Sequence, residues 1–583
     1  MHLQDPILTR VNGIPAEHLQ PVGRVVAIIK APPPEERLFA GFLKRRDQDQ
    51  DFLLFSPKDS RVPRMRVPAH SVPDEVDDKM LVIVSFEEWT AKSRFARGSF
   101  KRVLGQAGTI DAETQAILME YKIPFEDFKP HVLKCLPKVD EKHPFVIPDD
   151  EIAKRRDLRD VRIFTIDPST ARDLDDALHC TQLPDGNFEM GVHIADVSYF
   201  VEPNTPLDEE AEFRATSTYL VQSVYPMLPR LLCEGLCSLN PDEDRLAFSV
   251  IWVLDPEGNR KSTWFGRTVI RSRCKLAYDH AQLFIDDESK EWNDVEFPRL
   301  SADTQGADVK ADVLRMNHIA QQMRDRRFAN GALRLNKTKL SFRLGEDMLP
   351  VETWPYVQRA ANQLVEEFML LANISVAECI AKAFPQCALL RRHPEPFTSR
   401  LEEVAARFQR VGIPLDTGSS GDIAASIRAY QENEQDQGRV EVMQLLLTMA
   451  MQQAVYFSTG DSKLEQSDWK HYALATPMYT HFTSPIRRYA DVVVHRLLLA
   501  ALENKETFYE HDKVQKAADR CNERKLNAKE AGNKSIDIFK NVMVYHHGPF
   551  EEPAIVYRVQ DRSMDVLVLR LGLEVSRGCV PPH

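Results

Sequence analysis

Four aspartates fall within ten residues, Asp167, Asp173, Asp175 and Asp176, in the stretch TIDPSTARDLDDALHC. Like charges at that density raise the cost of ionising one another, so the segment is either open to water or held together by a cation. The preceding VRIFTI reads as a buried strand ending at Asp167-Pro168, and the loop PSTAR then delivers the other three acids. Carboxylates at a strand end and in the following loop can converge on Mg²⁺, which takes a few carboxylates plus water and phosphate oxygens. Four acids suffice for two ions about 3.5–4 Å apart that clamp a phosphodiester and activate water. The loop lacks the glycine and distal glutamate of a calcium-binding EF-hand. By spacing alone, an acidic surface turn fits equally well.

Other stretches supply cations and polar groups. YTHFTSPIRRYADVVVHR, residues 479–496, turns at Ser484-Pro485 and continues as a helix, with Arg487 and Arg488 near its start. Cations there oppose the helix dipole and are better placed beside an external anion. Guanidinium binds phosphate bidentately, so phosphate is the natural anion, and two surface arginines are the plain alternative. ALLRRHPEP, residues 388–396, sets Arg391, Arg392 and His393 after an apolar run. His393 reads as a structural histidine, because two-metal hydrolysis needs no histidine base. On a helix from about 358 to 384, Asn362, Glu366 and Asn373 share one face, where they line a site or bond neighbouring backbone.

The elements that must hold these groups follow from the rest of the chain. A length of 583 residues implies roughly three to four domains. A hydrophobic content of 43% and a charged content of 28% are those of an ordinary soluble globular protein. The N-terminal segment has no secretory pattern. The most apolar stretch, EVMQLLLTMAMQQAVYF, is broken by Gln444, Gln452 and Gln453, so no membrane span is expected. The nine cysteines are scattered, and Cys233 and Cys237 have no neighbouring ligand pair that would complete a zinc site. Reduced buried thiols in a cytosolic protein are the simplest reading. A net charge of −12 argues weakly against a nucleic-acid partner, but basic residues cluster at 154–162, 324–334, 389–393 and 484–488, which suits a basic channel in an acidic shell.

Residues 20 to 90 read as short strands, including GRVVAII and KMLVIVSF. Phe39, Phe42, Phe52 and Phe55 are interleaved there with Lys44, Arg45, Arg61, Arg64 and Arg66. On a small barrel that mixture suits single-stranded nucleic acid, and core phenylalanines with surface charges are the bland alternative. Residues 91 to 150 read as a helix-containing connector. Strands dominate from 160 to 275 and long helices from 308 to 540, and the last segment returns to strands.

Taken together, these motifs resemble the RNase II (RNB) family of processive 3′→5′ exoribonucleases. TIDPSTARDLDDAL is similar to its catalytic signature, and GVHIADVSYFV, LLRRHPEP and YTHFTSPIRRYAD follow in the family's order. FTIDPSTARDLDDAL and VYPMLPRLLCEGLCSLNP look most like the eukaryotic, exosome-independent branch that acts on 3′-uridylated RNA. The resemblance implies that Asp167, Asp173, Asp175 and Asp176 hold the metal, with Asp175, Asp176 and Arg487 catalytic. It further implies that Tyr219 and Phe342 stack on the terminal bases. Arg391, His393, Asn362, Glu366 and Arg488 complete the expected RNA contacts.

The expected fold is multidomain α+β: an N-terminal cold-shock/OB barrel region with connector over 1–145, a mixed α/β RNB catalytic domain over 146–545, and a partial C-terminal OB barrel over 546–583. One cold-shock barrel reads as complete where the branch has two. The implied activity is processive hydrolysis of single-stranded RNA, ending in 3′ oligouridine, to 5′-nucleoside monophosphates. Mg²⁺ or Mn²⁺ is the implied cofactor, the cytoplasm the implied location, and neither a membrane nor an obligate protein partner is implied. The alternative is a non-catalytic RNA-binding translational regulator on the same scaffold.

Overall fold

The computed structural model describes residues 37–578 apart from 47–48, 91, 140–141, 336–338, 434–436, 508 and 561–562. The expected strand GRVVAII lies outside the described residues. The chain divides into two compact units, one to Glu120 and one from Tyr121 onward.

In the first unit, β1 (Leu38–Arg46), β2 (Asp49–Pro57), β3 (Met65–Pro68), β4 (Met80–Glu88) and β5 (Ala96–Gln106) close into a barrel in the order β1-β2-β3-β5-β4. Alternating residues fill it: Leu43, Leu53, Phe55, Met65, Val67, Val82 and Val84 are buried. Gly41 is required at the β1–β2 contact, since a Cβ there would meet Ser56 O at 2.3 Å. The helix Ile110–Glu120 lays Ala112 and Ala116 on Leu81, Ile83 and Leu104. The stretch read as connector therefore begins with barrel strand β5. Its outward residues Arg97, Lys101 and Arg102 are polar and largely exposed, which masks the strand's alternation. The interleaved aromatics divide: Phe55 is core, whereas Phe52 is half-buried with the Arg66 guanidinium 4.4 Å from its ring centroid.

The second unit is built on another closed barrel. Its strands are β6 (Arg156–Asp167), β7 (Asp176–Gln182), β8 (Phe188–Ala195), β11 (Asp244–Leu254) and β12 (Arg260–Ala277), in the order β11-β12-β6-β7-β8. Between β8 and β11 lies the short hairpin β9 (Thr218–Tyr219) and β10 (Val224–Tyr225). β6 runs parallel to β12, which sets Asp167 opposite Ala277. The other pairings are antiparallel. Two helices pack into the core with the barrel, Ala360–Ala383 and Tyr489–Leu502. Trp252 of β11 donates its Nε1–H to Ser375 Oγ on the first of them (3.1 Å).

Two more two-stranded antiparallel sheets follow: the hairpin β13 (Leu340–Leu344) with β14 (Pro350–Pro355), and β15 (Leu389–Arg392) with the distant β16 (Val455–Ser458). The helices Thr398–Arg410, Ser420–Asn433 and Gln437–Ala450 share a separate core, to which the C-terminal strands contribute Leu567. After the long helix His511–His547, β17 (Ala554–Val559), β18 (Ser563–Val568) and β19 (Leu573–Gly578) form a three-stranded antiparallel sheet. Among the described residues, no helix is long and apolar enough to cross a membrane.

Candidate active site

The aspartates sit where β6 ends and β7 begins. Asp167 is the last residue of β6, Asp176 the first of β7, and Asp173 and Asp175 lie on the loop between. That loop is pinned by a residue the sequence reading passed over, Ser238. Its hydroxyl accepts from Leu174 N–H (3.1 Å) and donates to Arg172 O (2.8 Å). Leu239 N–H closes the same clamp on Leu174 O (3.1 Å). Nothing in LCSLNP marks this role except one hydroxyl among apolar neighbours.

Asp175 joins the loop to the SPIRR segment. Its Oδ1 accepts from Ile486 N–H (2.9 Å) and its Oδ2 from Arg487 Nε (3.2 Å). Arg487 also donates Nη2 to Ser484 Oγ (2.9 Å), and 44% of its side chain stays exposed. Arg488, its neighbour, has another role: it is bound at both nitrogens to the fully buried Asp491 (2.7 and 2.8 Å). Asp491 also accepts from Ser484 N–H (2.7 Å), so the loop is closed onto the first turn of its own helix, where negative charge is favoured.

Asn373 fixes the approach to that loop. Its Oδ1 accepts from Phe482 N–H (2.7 Å) and its Nδ2 donates to Tyr479 OH and Thr483 Oγ1 (3.1 and 3.3 Å). The polar face of the helix Ala360–Ala383 thus divides. Asn373 bonds backbone next to the site, Asn362 accepts from Arg359 N–H at the helix start (3.0 Å), and Glu366 accepts from Gln358 Nε2 (2.6 Å).

Tyr219 donates its hydroxyl to Asp173 Oδ2 (3.1 Å), and the residue is 45% exposed. Its hairpin is tied to SPIRR by Ser217 N–H to Arg487 O (3.0 Å) and to the long C-terminal helix by Val221 N–H to Ser535 Oγ (3.1 Å). Phe342, on β13, packs its ring 5.9 Å from Phe539 of that helix. His393 is buried: Nε2–H donates to Gln452 O (2.8 Å) and Nδ1 accepts from Ala473 N–H (3.3 Å). Both ring nitrogens are spent on backbone, which corrects the assignment of His393 as an RNA contact. Arg488 spends Nε and Nη2 on Asp491.

Burial dominates the electrostatics. It pushes Asp167 up to about 6, helped by Asp173, and Asp175 up to about 7 against the pull of Arg487. Asp176 is raised well above the usual carboxylate range by burial and then by Asp167 and Asp175. Each carboxylate therefore gains from added positive charge. Asp167 Oδ2 is buried without a hydrogen-bond partner. An all-oxygen donor set with an orphaned carboxylate oxygen fits a hard divalent cation. The oxygens are not assembled as a ready ligand set: among the described residues, no three His, Cys, Asp or Glu side chains are placed to hold a metal. Asp173 is turned to Tyr219, and Asp175 to Ile486 and Arg487. Tyr278, the first residue of the helix Tyr278–Asp286 after β12, adds a phenol that burial, then the charges of Asp176 and Asp167, push up, and the sequence reading missed it.

The site thus brings buried carboxylates against a half-exposed arginine and an exposed aromatic ring. Residues 155–504 match the RNB domain family, and residues 52–122 match the Dis3-like cold-shock domain 2. The chain is 47% identical to DIS3-like exonuclease 2 of Xenopus tropicalis, over 96% of this chain and 68% of that protein. It is 40% identical to an Arabidopsis thaliana protein named Inactive exonuclease DIS3L2, over 84% of this chain and 49% of that protein. Its fold superposes on Mycoplasma genitalium RNase R in complex with double-stranded RNA with a TM-score of 0.79 at 22% identity, covering 95% of this chain and 93% of that one. The chain belongs to the RNase II (RNB) family of 3′→5′ exoribonucleases, in its exosome-independent branch.

Proposed function

We propose that the chain is a divalent-metal-dependent 3′→5′ exoribonuclease that degrades single-stranded RNA processively to 5′-nucleoside monophosphates in the cytoplasm. The observation that carries this reading is the Asp175–Arg487 contact, together with the orphaned oxygen of Asp167, a carboxylate on which the Arg487 charge also acts. Carboxylate cluster and phosphate-binding cation are thereby one preorganised unit. Asp167, Asp173, Asp175 and Asp176 would hold Mg²⁺, which supplies water activation and charge neutralisation at the phosphate. The protein's own groups do the rest. Arg487, half-exposed and steered by Ser484, offers its free guanidinium edge to the scissile phosphate. Tyr219, held by Asp173, presents its exposed ring to the terminal base, and Phe342 supports the stack from β13. Restricting the stack to the last bases meters one nucleotide per cycle.

A preference for 3′ oligouridine follows from similarity to the branch alone, since no residue of the site reads a uracil edge. The test incubates the protein with 5′-labelled and 3′-labelled oligonucleotides ending in oligouridine or oligoadenosine, with Mg²⁺, Mn²⁺ or EDTA. The expected result is a ladder from the 5′ label, immediate mononucleotide from the 3′ label, faster decay of the oligouridine substrate, and no decay in EDTA. RNA that is bound but intact under Mg²⁺ and Mn²⁺ supports the binder reading, for which the Arabidopsis relative is the precedent by name.

A further inference from the structure

The rings assigned to the terminal bases are carried by two short hairpins, and one helix holds both. A two-stranded hairpin is marginal by itself, so its position is set by what it packs on. On the helix His511–His547, Gly532, Ser535 and Phe539 follow one another at spacings of three and four and share one face. The buried Ser535 Oγ accepts from Val221 N–H (3.1 Å) and donates to Gln222 Oε1 (3.5 Å), both in the turn that follows Tyr219. Gly532 lets the helix come close to the strand itself, since a Cβ there would meet Tyr219 O at 3.2 Å. One turn beyond Ser535, the buried Phe539 sets its ring 5.9 Å from that of Phe342 on β13, at an interplanar angle of 54°.

The helix is itself held against sliding. Asn522 brackets Tyr456 of β16 by accepting from its N–H and donating to its carbonyl (2.7 and 2.8 Å), and Gln515 Oε1 accepts from Ser458 N–H on the same strand (3.0 Å). β16 pairs with β15, and Arg391 N–H of β15 donates to Tyr479 O (2.8 Å), at the start of the segment that carries Arg487. The helix is thereby registered to the phosphate-binding arginine. Tyr219 is fixed at two points, its hydroxyl on Asp173 and its backbone on the helix, and Phe342 is propped by Phe539.

We infer that the Gly532–Ser535–Phe539 face is a spacer: it sets the separation of the Tyr219 and Phe342 rings, and with it the shortest RNA that the protein can hold and shorten. This rests on the reading that those rings stack on the terminal bases of single-stranded RNA. The three are positioning residues that act through the rings. A long strand is held by many contacts, whereas a short one depends on the stack, so the ring separation decides where shortening stops.

The experiment follows decay of a long 5′-labelled single-stranded RNA in Mg²⁺ to its shortest persisting product, and compares kcat/KM on a short strand with kcat on the long one. Gly532→Ala forces Tyr219 O to give by a few tenths of an ångström, and Ser535→Ala leaves Val221 N–H without its acceptor. Each is expected to lengthen the shortest product and to lower kcat/KM on the short strand about tenfold, the size of one misplaced base stack. Over the same variants kcat on the long strand should change by less than about twofold, because binding and not chemistry is touched. In a Tyr219→Ala background both substitutions are expected to add nothing further, and Phe539→Ala should add nothing to Phe342→Ala, since each acts through its ring. Equal losses on the short and long strands would mean that the helix face holds the fold and not the ring spacing, and overturn the spacer. So does an unchanged shortest product in Gly532→Ala and Ser535→Ala, or effects that stay additive with Tyr219→Ala. A wild-type protein that leaves the long strand intact overturns the exoribonuclease reading, and the spacer with it, whereas ordinary decay with unshifted variants overturns the spacer alone.

Discussion

At the scale of single residues, Asp175 is the hinge of the site because each carboxylate oxygen has a different task. Asparagine can keep the bond from Ile486 N–H through its own Oδ1 but offers Arg487 no charge. Asp175→Asn is therefore expected to lose RNA hydrolysis by on the order of 10³-fold while RNA binding changes little, measured by decay of a labelled strand and by its mobility shift. Asp196 shows the opposite electrostatics. Burial alone would raise it, but ion pairs with Arg267 and Arg155 at 3.0 and 2.8 Å win and hold it at about 2. Its folded pKa lies below the ordinary aspartate value of 3.8, so its stabilisation is fully present above pH 4 and is lost as pH falls through 2. The shift corresponds to roughly 2 kcal/mol. The gap in urea midpoint between wild type and Asp196→Asn should accordingly narrow as pH drops from 4 towards 2, and a constant gap would contradict the pairing.

At the scale of elements, function depends on how three segments are stitched: the β6–β7 loop, the β9–β10 hairpin and SPIRR. Asn373 is the stitch on a helix. Asn373→Ala leaves the buried Phe482 N–H without an acceptor, which costs about 1–3 kcal/mol. Because Arg487 sits a few residues on, the variant should lose kcat more than RNA affinity, read from single-turnover decay beside equilibrium binding. The barrel has a similar point at Gly191. A Cβ there would sit 2.3 Å from the His179 ring, whose Nδ1 is 2.8 Å from His193 Nε2. Gly191→Ala should destabilise the second unit by about 1–3 kcal/mol, seen as an earlier melting transition.

At the scale of the whole molecule, a net charge of −12 coexists with concentrated internal cations. Arg487 is held against the buried Asp175, so composition says little about the surface an RNA meets. The same charge balance predicts that Mg²⁺ raises the melting temperature, since a ligand binding only the folded state stabilises it by about 2.7 kcal/mol at a hundredfold excess over Kd. The Asp175→Asn, Asp176→Asn double variant should lose that response in differential scanning calorimetry. An equal response in both proteins would remove the metal from the aspartates.

By itself the sequence determined the strand-and-loop placement of the four aspartates, the turn and helix of SPIRR, and the order of strand-rich and helical regions. Each is a local matter of periodicity, proline position and charge. Only the tertiary structure decided which cations face the acids. Arg487 and Arg488 are adjacent in sequence, yet one reaches Asp175 and the other is consumed by Asp491. His393 reads in sequence as a structural histidine and Asn373 as either site-lining or backbone-bonding, and in the structure both bind backbone. Partner choice is set by which distant segments pack together: Asp175 and Arg487 are brought together by the helix and barrel packing between them, which no local pattern encodes.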